Sequence, residues 1–152
     1  MRLSDRVAIV TGAGDGIGRG IAVHLAREGA DMAICDINTA TVEETGRLIA
    51  ETGRRVITET IDITDHNRVK TFVDQVAEQF GQVNILVNNA AIMPVCPIED
   101  QDEATMASIL TVNLLAPMVF SKYCTPHMRK AGGGSIIHMA SVTGHNGHPG
   151  VA

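Results

Sequence analysis

The sequence predicts an α/β protein built as a doubly wound parallel sheet, and three observations lead there. Short apolar runs of strand length recur along the chain, separated by amphipathic stretches of helical length. The first run opens into glycines at alternate positions, Gly12, Gly14, Gly16 and Gly18, and then into a helical pattern. No repeat, low-complexity tract or linker interrupts the 152 residues, so one domain is expected. Strands alternating with helices imply βαβ units, right-handed crossovers and helices on both faces of the sheet.

Val7 to Val10 is apolar throughout, the mark of a strand buried on both faces. The first helix carries Ile17, Ile21, Ala22 and Leu25 close to one face, and Gly29 closes it. Met32 to Cys35 is the second strand and ends in Asp36. A helix from about Thr39 to Glu51 stops at Gly53. Val56 to Ile61 is the third strand, and Thr64 or Asp65 caps a helix that runs to about Phe80 and ends at Gly81. Val83 to Val87 is the fourth strand, followed by Asn88-Asn89-Ala90-Ala91. A long helix starts near Asp100 or Asp102 and runs towards Tyr123, with Pro126 close to its end. Gly132-Gly133-Gly134 turns the chain into a fifth strand, Ser135 to Ala140, and Ser141 to Ala152 reads as a loop.

Composition narrows the function classes. The chain is 45% hydrophobic but only 3% aromatic, so its core must be aliphatic and methionine-rich. A net charge of −5 without a basic block speaks against nucleic acid or an anionic membrane as partner. Cys35, Cys96 and Cys124 are odd in number, widely spaced and free of any Cys-x-x-Cys, as expected of reduced thiols in a cytoplasmic protein. Met1 to Arg6 runs straight into the first strand and does not read as a signal peptide. The longest nearly apolar run, Ile109 to Phe120, is broken by Thr111, Asn113 and Pro117 and is too short to span a bilayer.

Strand, glycine turn and helix start together point bare backbone N–H groups at one small volume, which suits an anion and most often a pyrophosphate. The spacing is not Gly-x-Gly-x-x-Gly, because Ile17 stands where the third glycine would fall. Thr-Gly-x-x-x-Gly-x-Gly fits, at Thr11, Gly12, Gly16 and Gly18. So does a Gly-x-Gly-x-Gly turn at Gly12, Gly14 and Gly16, which is similar to that of Rossmann-like methyltransferases. A tight turn without a ligand is the plainer alternative.

Asp36 ends the second strand, where a carboxylate in a dinucleotide fold accepts hydrogen bonds from the adenosine ribose. Its charge repels a 2′-phosphate, Asp15 in the glycine turn adds another, and no Arg or Lys follows among Ile37, Asn38 and Thr39. NAD is therefore favoured over NADP. A simple helix cap is the other reading of Asp36. Asp62 can reach an adenine edge or cap the next helix. Asn88 and Asn89 either tie neighbouring strands together or line the cleft.

Asn113 lies on an apolar helical face marked by Met106, Ile109, Leu110, Leu114, Pro117 and Met118, and so reads as a buried amide. Pro117 has no N–H for the Asn113 carbonyl, so the helix should kink there and free a backbone acceptor. That carbonyl and side chain would hold a water or a catalytic lysine; a satisfied core asparagine is the alternative. Ser141 ends the fifth strand, where it can polarise a carbonyl or serve a turn at Thr143-Gly144. His138, His145 and His148 have no Cys, Asp or Glu between them, and no metal site is expected.

Taken in order, these residues resemble the short-chain dehydrogenase/reductase family from the first strand to the last residue, which sets the methyltransferase alternative aside. Thr11-Gly12-x-x-x-Gly16-Ile17-Gly18, with Gly14 and Asp15 inside it, is similar to the family's cofactor loop. Asp36 with Ile37, and Asp62 with Ile63, match its ribose and adenine contacts. Asn88-Asn89-Ala90-Ala91 resembles its Asn-Asn-Ala-Gly motif, Ala91 replacing the glycine. Asn113 and Ser141 match its catalytic asparagine and serine. The resemblance implies a Rossmann fold, NAD, hydride transfer between the nicotinamide and a small alcohol or ketone, and a homo-oligomer.

A Tyr-x-x-x-Lys pair completes the family's site, and its spacing puts the tyrosine about thirteen residues after Ser141, beyond Ala152. Tyr123, the only tyrosine, precedes Ser141 and has His127 four places on. The expectation is an incomplete N-terminal portion of such an enzyme, lacking the C-terminal strands, with an open edge at its fifth strand. Alone it would be inactive, because the lost proton carrier is worth roughly 10²–10⁴-fold. A non-catalytic module that acts by binding NAD or by pairing with a full-length relative, or a decayed product, are the alternatives. Ile92 to Ile98 suggests an apolar lip that selects no particular alcohol.

Overall fold

The structure, a computed structural model, describes residues 1–147 and 150. Among these, five parallel strands form one sheet in the order β3-β2-β1-β4-β5. They are β1 (Val7–Thr11), β2 (Asp31–Asp36), β3 (Val56–Thr60), β4 (Ile85–Asn88) and β5 (Ser135–His138). The chain winds outward from β1 to β3 and then crosses back to β4. The loops after β1 and β4 therefore leave neighbouring strands towards opposite faces, and a cleft opens at their carboxyl ends.

Successive side chains of a strand point to opposite faces, and two apolar layers result. Ala8, Val10, Met32 and Ile34 pack with Ala22 and Ala26 of α1 (Gly16–Arg27) and with Val42 and Ile49 of α2 (Thr39–Ala50). Val7, Ile9, Ala33 and Cys35 pack with Val69, Phe72 and Val73 of α3 (His66–Phe80) and with Phe120 and Cys124 of α5 (Ala116–Lys130). Side-chain caps start the helices: Asp15 for α1, Asn38 for α2, Asp65 for α3 and Asp102 for α4 (Glu103–Leu110).

The end of the sheet away from the cleft is clamped by charge. Buried Asp31, first residue of β2, accepts from Arg55 Nε at 2.7 Å and lies 2.6 Å from Arg54 Nη2. Burial pushes its carboxyl up, but the Arg55 hydrogen bonds and the two guanidinium charges outweigh this and hold it below the usual carboxylate range.

Three expectations need correction. Ile17 does not share the buried face of α1, which is made by Gly18, Ala22 and Ala26; it stands exposed at the cleft. The long helix does not end near Pro126 but continues to Lys130, because Ala116, Phe120, Cys124 and Met128 still bring one face onto the core. The face carrying Leu110, Leu114 and Met118 is exposed rather than buried. A π-turn over Thr111–Leu115 inserts one extra residue into the helical repeat between α4, which buries no residue, and α5, which brings Ala116 and Phe120 onto the core. Glu103–Lys130 is thus one helical run whose most apolar 18 residues have a mean hydropathy of 1.6. Length and composition alone would let it cross a membrane, which counting only Ile109 to Phe120 had missed.

Candidate active site

The glycine turn owes its shape to close backbone approaches. Gly12 has φ +61°, and a Cβ there would stand 2.7 Å from Ala90 Cα. A Cβ on Gly18 would stand 2.0 Å from the Gly12 carbonyl oxygen. No side chain fits either position. Thr11, buried at the end of β1, accepts from the backbone N–H groups of Asn89 and Ala90 at 3.0 and 3.1 Å. Asn89 Nδ2 in turn donates to the carbonyls of Thr11 and Gly12 at 3.1 and 3.0 Å. Asn89 therefore ties β1 to β4 across the switch point and also lines the cleft. Both readings of it hold.

Two cavities flank this junction. The first, about 340 Å³, is bounded by Gly12, Asp15, Asp36, Ile37, Asp62, Ile63, Asn89, Ala90 and Ala91. Each carboxylate here also serves the backbone. Asp36 accepts from Gly14 N–H at 2.8 Å and Asn38 N–H at 3.0 Å. Asp62 accepts from Thr64, N–H at 2.9 Å and hydroxyl at 2.8 Å, while Asp15 caps Gly16 N–H at 2.7 Å. Neither turn chemistry nor cleft lining excludes the other, since a carboxylate has lone pairs to spare.

The second cavity, about 600 Å³, holds Ile17, Asn88, Asn113, His138 and Ser141 and shares Asn89 to Ala91 with the first. Asn113 is exposed rather than buried, because the π-turn carries it to the cleft. Its Oδ1 accepts from Ile92 N–H at 2.9 Å and its Nδ2 donates to the Ile92 carbonyl at 2.8 Å. The side chain thus fastens the loop after β4 to the helix. The backbone carbonyl is deprived of its usual donor by Pro117.

Ser141 Oγ accepts from the Thr143 hydroxyl at 2.8 Å, and so fulfils the turn reading while facing the cavity. Asn88 Nδ2 lies 3.2 Å from His138 Nδ1. His145 sits in the loop after β5, and His148 lies outside the described residues. Tyr123 packs against the apolar layer of α3 and α5, away from both cavities. All three cysteines are free; burial raises the Cys124 thiol to about 12 and lifts that of Cys35 too, where the Asp36 and Glu59 charges add to it.

Sequence reading missed Arg19 and Thr45, which hold the far side of the glycine turn. The signal available was Arg19 itself, a cation in the first turn of a helix, where the macrodipole disfavours it.

A doubly wound sheet with a glycine turn at its switch point and a carboxylate at the end of β2 is the architecture of the dinucleotide-binding folds. The comparisons with known proteins agree. The model of the short chain dehydrogenase family matches residues 6–152, and the chain belongs to that family. It is 39% identical to galactitol 2-dehydrogenase of Agrobacterium fabrum over 148 residues, 97% of this chain and 57% of that protein. An uncharacterized oxidoreductase of Thermotoga maritima is 37% identical over 147 residues, 97% of this chain and 57% of that protein. Among solved structures, NAD⁺-bound xylitol dehydrogenase superposes with a TM-score of 0.94 at 30% identity, covering 99% of this chain and 58% of that one. Carveol dehydrogenase of Mycobacterium avium in complex with NAD gives 0.94 at 31%, covering 98% and 59%. The chain thus spans under three fifths of the length of these relatives.

Proposed function

We propose that this chain is the dinucleotide-binding unit of an NAD-dependent oxidoreductase that interconverts a small alcohol and its carbonyl compound. The observation that carries the reading is the first cavity. A turn with no room for a side chain at Gly12 or Gly18, three carboxylates (Asp15, Asp36 and Asp62) and no lysine or arginine among its lining residues suit an ADP moiety with a free 2′-hydroxyl. Asp36 would accept from the ribose hydroxyls and repel a 2′-phosphate, while Asp62 and Ile63 would flank the adenine. The N–H groups around Gly16 to Gly18, at the start of α1, would receive the pyrophosphate.

When bound, NAD supplies hydride acceptance and return at its nicotinamide. The second cavity is where a substrate would meet it. Ser141, whose Oγ accepts from Thr143, would donate its own O–H to the substrate oxygen and orient it. Asn113, its side chain engaged by Ile92, would present its backbone carbonyl to the proton relay. The relay's acid is the tyrosine that the family's motif puts after Ser141, with its partner lysine.

Titration of the full chain with NAD and NADP tests the first half of this reading. NAD should bind, and NADP should bind at least about ten-fold more weakly, a single unfavourable charge contact being worth that much. Nicotinamide absorbance with a panel of secondary alcohols tests the second half. Failure to bind NAD overturns the proposal. A second reading, a non-catalytic NAD-binding module, is favoured by Ser141 and Asn113 both being engaged by neighbours. Binding without turnover would establish it.

A further inference from the structure

Gly14 lies midway along the glycine turn, and its two backbone polar groups are held from opposite sides. Its N–H donates to Asp36 Oδ2 at 2.8 Å. Its carbonyl accepts from Arg19 Nη2 at 2.6 Å and Nε at 3.1 Å, with the Thr45 hydroxyl 3.3 Å away. Arg19 Nε also reaches Thr45 Oγ1 at 3.0 Å. Thr45 is fully buried on α2 and Arg19 half-buried on α1. Among the described residues no carboxylate lies within ion-pair distance of this guanidinium. A Cβ on Gly14 would meet Thr41 Oγ1 at 2.4 Å and the Asp36 carboxyl carbon at 2.8 Å, so Thr41 and Asp36 close tightly over this residue.

A loop that receives an anion must turn N–H groups towards it and carbonyls away. The Gly14 carbonyl is drawn back by a cation and a buried hydroxyl. The same peptide, through its N–H, fixes the carboxylate that would meet the ribose. We propose that Arg19 and Thr45 are positioning residues for nucleotide binding. They pin the Gly14 peptide, and thereby set both the glycine turn and Asp36, without touching the nucleotide. This rests on the turn being the pyrophosphate site proposed above.

Two chemistries separate under mutation. A pin needs both partners and acts on every ligand that carries ADP. A charge acting on phosphate needs Arg19 alone. Calorimetric titration of the full chain with NAD and with ADP-ribose, on the parent and on R19M, T45V and T45S, distinguishes them. R19M and T45V should each weaken both ligands by the same factor, about ten-fold or more, the worth of a hydrogen bond to a charged group. T45S, which keeps the hydroxyl and drops a methyl, should stay within about two-fold of the parent.

An effect of R19M without one of T45V would overturn the proposal in favour of direct charge attraction. Equal weakening by T45S and T45V would overturn it in favour of packing. Parent-like binding by R19M and T45V would overturn it alone. If the parent binds neither ligand, the pyrophosphate reading falls and takes this inference with it.

Discussion

The two flanks of the sheet meet at the same cleft but are built to different degrees of closure. β1 and β2 are buried over almost their whole length, whereas all four residues of β5 are exposed. At the carboxyl end of β1 and β2, polar groups are pinned by partners distant in sequence: Gly14 by Asp36 and Thr45, Gly12 by Asn89. Beside β5, Ser141 is answered by Thr143, two residues away. The side proposed for the nucleotide thus holds its polar groups through long-range partners, which would lessen the ordering that binding demands. On the side that would do chemistry, Ser141 takes its present geometry from a local turn, whereas Asn113 is held by Ile92 in the loop after β4.

The sharpest way to break this contrast is to add one methyl group to the organised side. Gly12→Ala, in a left-handed conformation against Ala90, should cost about 2–3 kcal/mol of stability and at least about 100-fold in NAD affinity. Thermal unfolding and titration check the two parts. A milder loss would show the turn to be pliable.

Asp31→Ala comes next, leaving Arg54 and Arg55 without their shared anion, and should cost about 3 kcal/mol in urea unfolding. Because Asp31 is held below its ordinary range, the native protein binds fewer protons there than the unfolded chain does. Its contribution is complete above the unfolded value of about 4 and is lost as pH falls through the lowered native value. Asp74, lowered chiefly by a hydrogen bond from Lys70, acts in the same sense more weakly because it is half exposed. Stability measured from pH 7 downward should therefore fall below about pH 4, and less steeply in the Asp31 variant.

Paired truncations compare neighbouring strands directly. Leu86→Ala on β4 should cost about 2–4 kcal/mol, while Ile137→Ala on β5, 45% exposed, should cost about 1 kcal/mol. Equal costs would erase the distinction between the flanks. Ser141→Ala should have the smallest effect on folding, within about 0.5 kcal/mol, and should leave NAD affinity within about two-fold.

What the sequence disclosed follows from the range of the forces involved. The strands and the glycine turn were legible because unbroken apolar runs such as Val7 to Val10 and the spacing of Gly12, Gly16 and Gly18 are local signals. Asp36 ends β2, and Asp62 and Asn89 follow closely after β3 and β4, so the local strand pattern brings all three to the cleft lining. Asn113 was placed on the right helix but in the wrong environment. An α-helical wheel assumes a constant repeat, and the π-turn at Thr111–Leu115 breaks it. Arg19 and Thr45 escaped notice because their meeting point is a carbonyl, and backbone groups have no letter in a sequence.

The Thr11 hydroxyl carries a further consequence. Asn89 and Ala90 belong to no strand, yet both donate their amide hydrogens to this one buried oxygen. Solvent deuterium can reach them only when β1 and β4 part. These two loop amides would therefore retain their protons as long as the centre of the sheet does, reporting the opening of the nucleotide cleft in an experiment that needs no nucleotide.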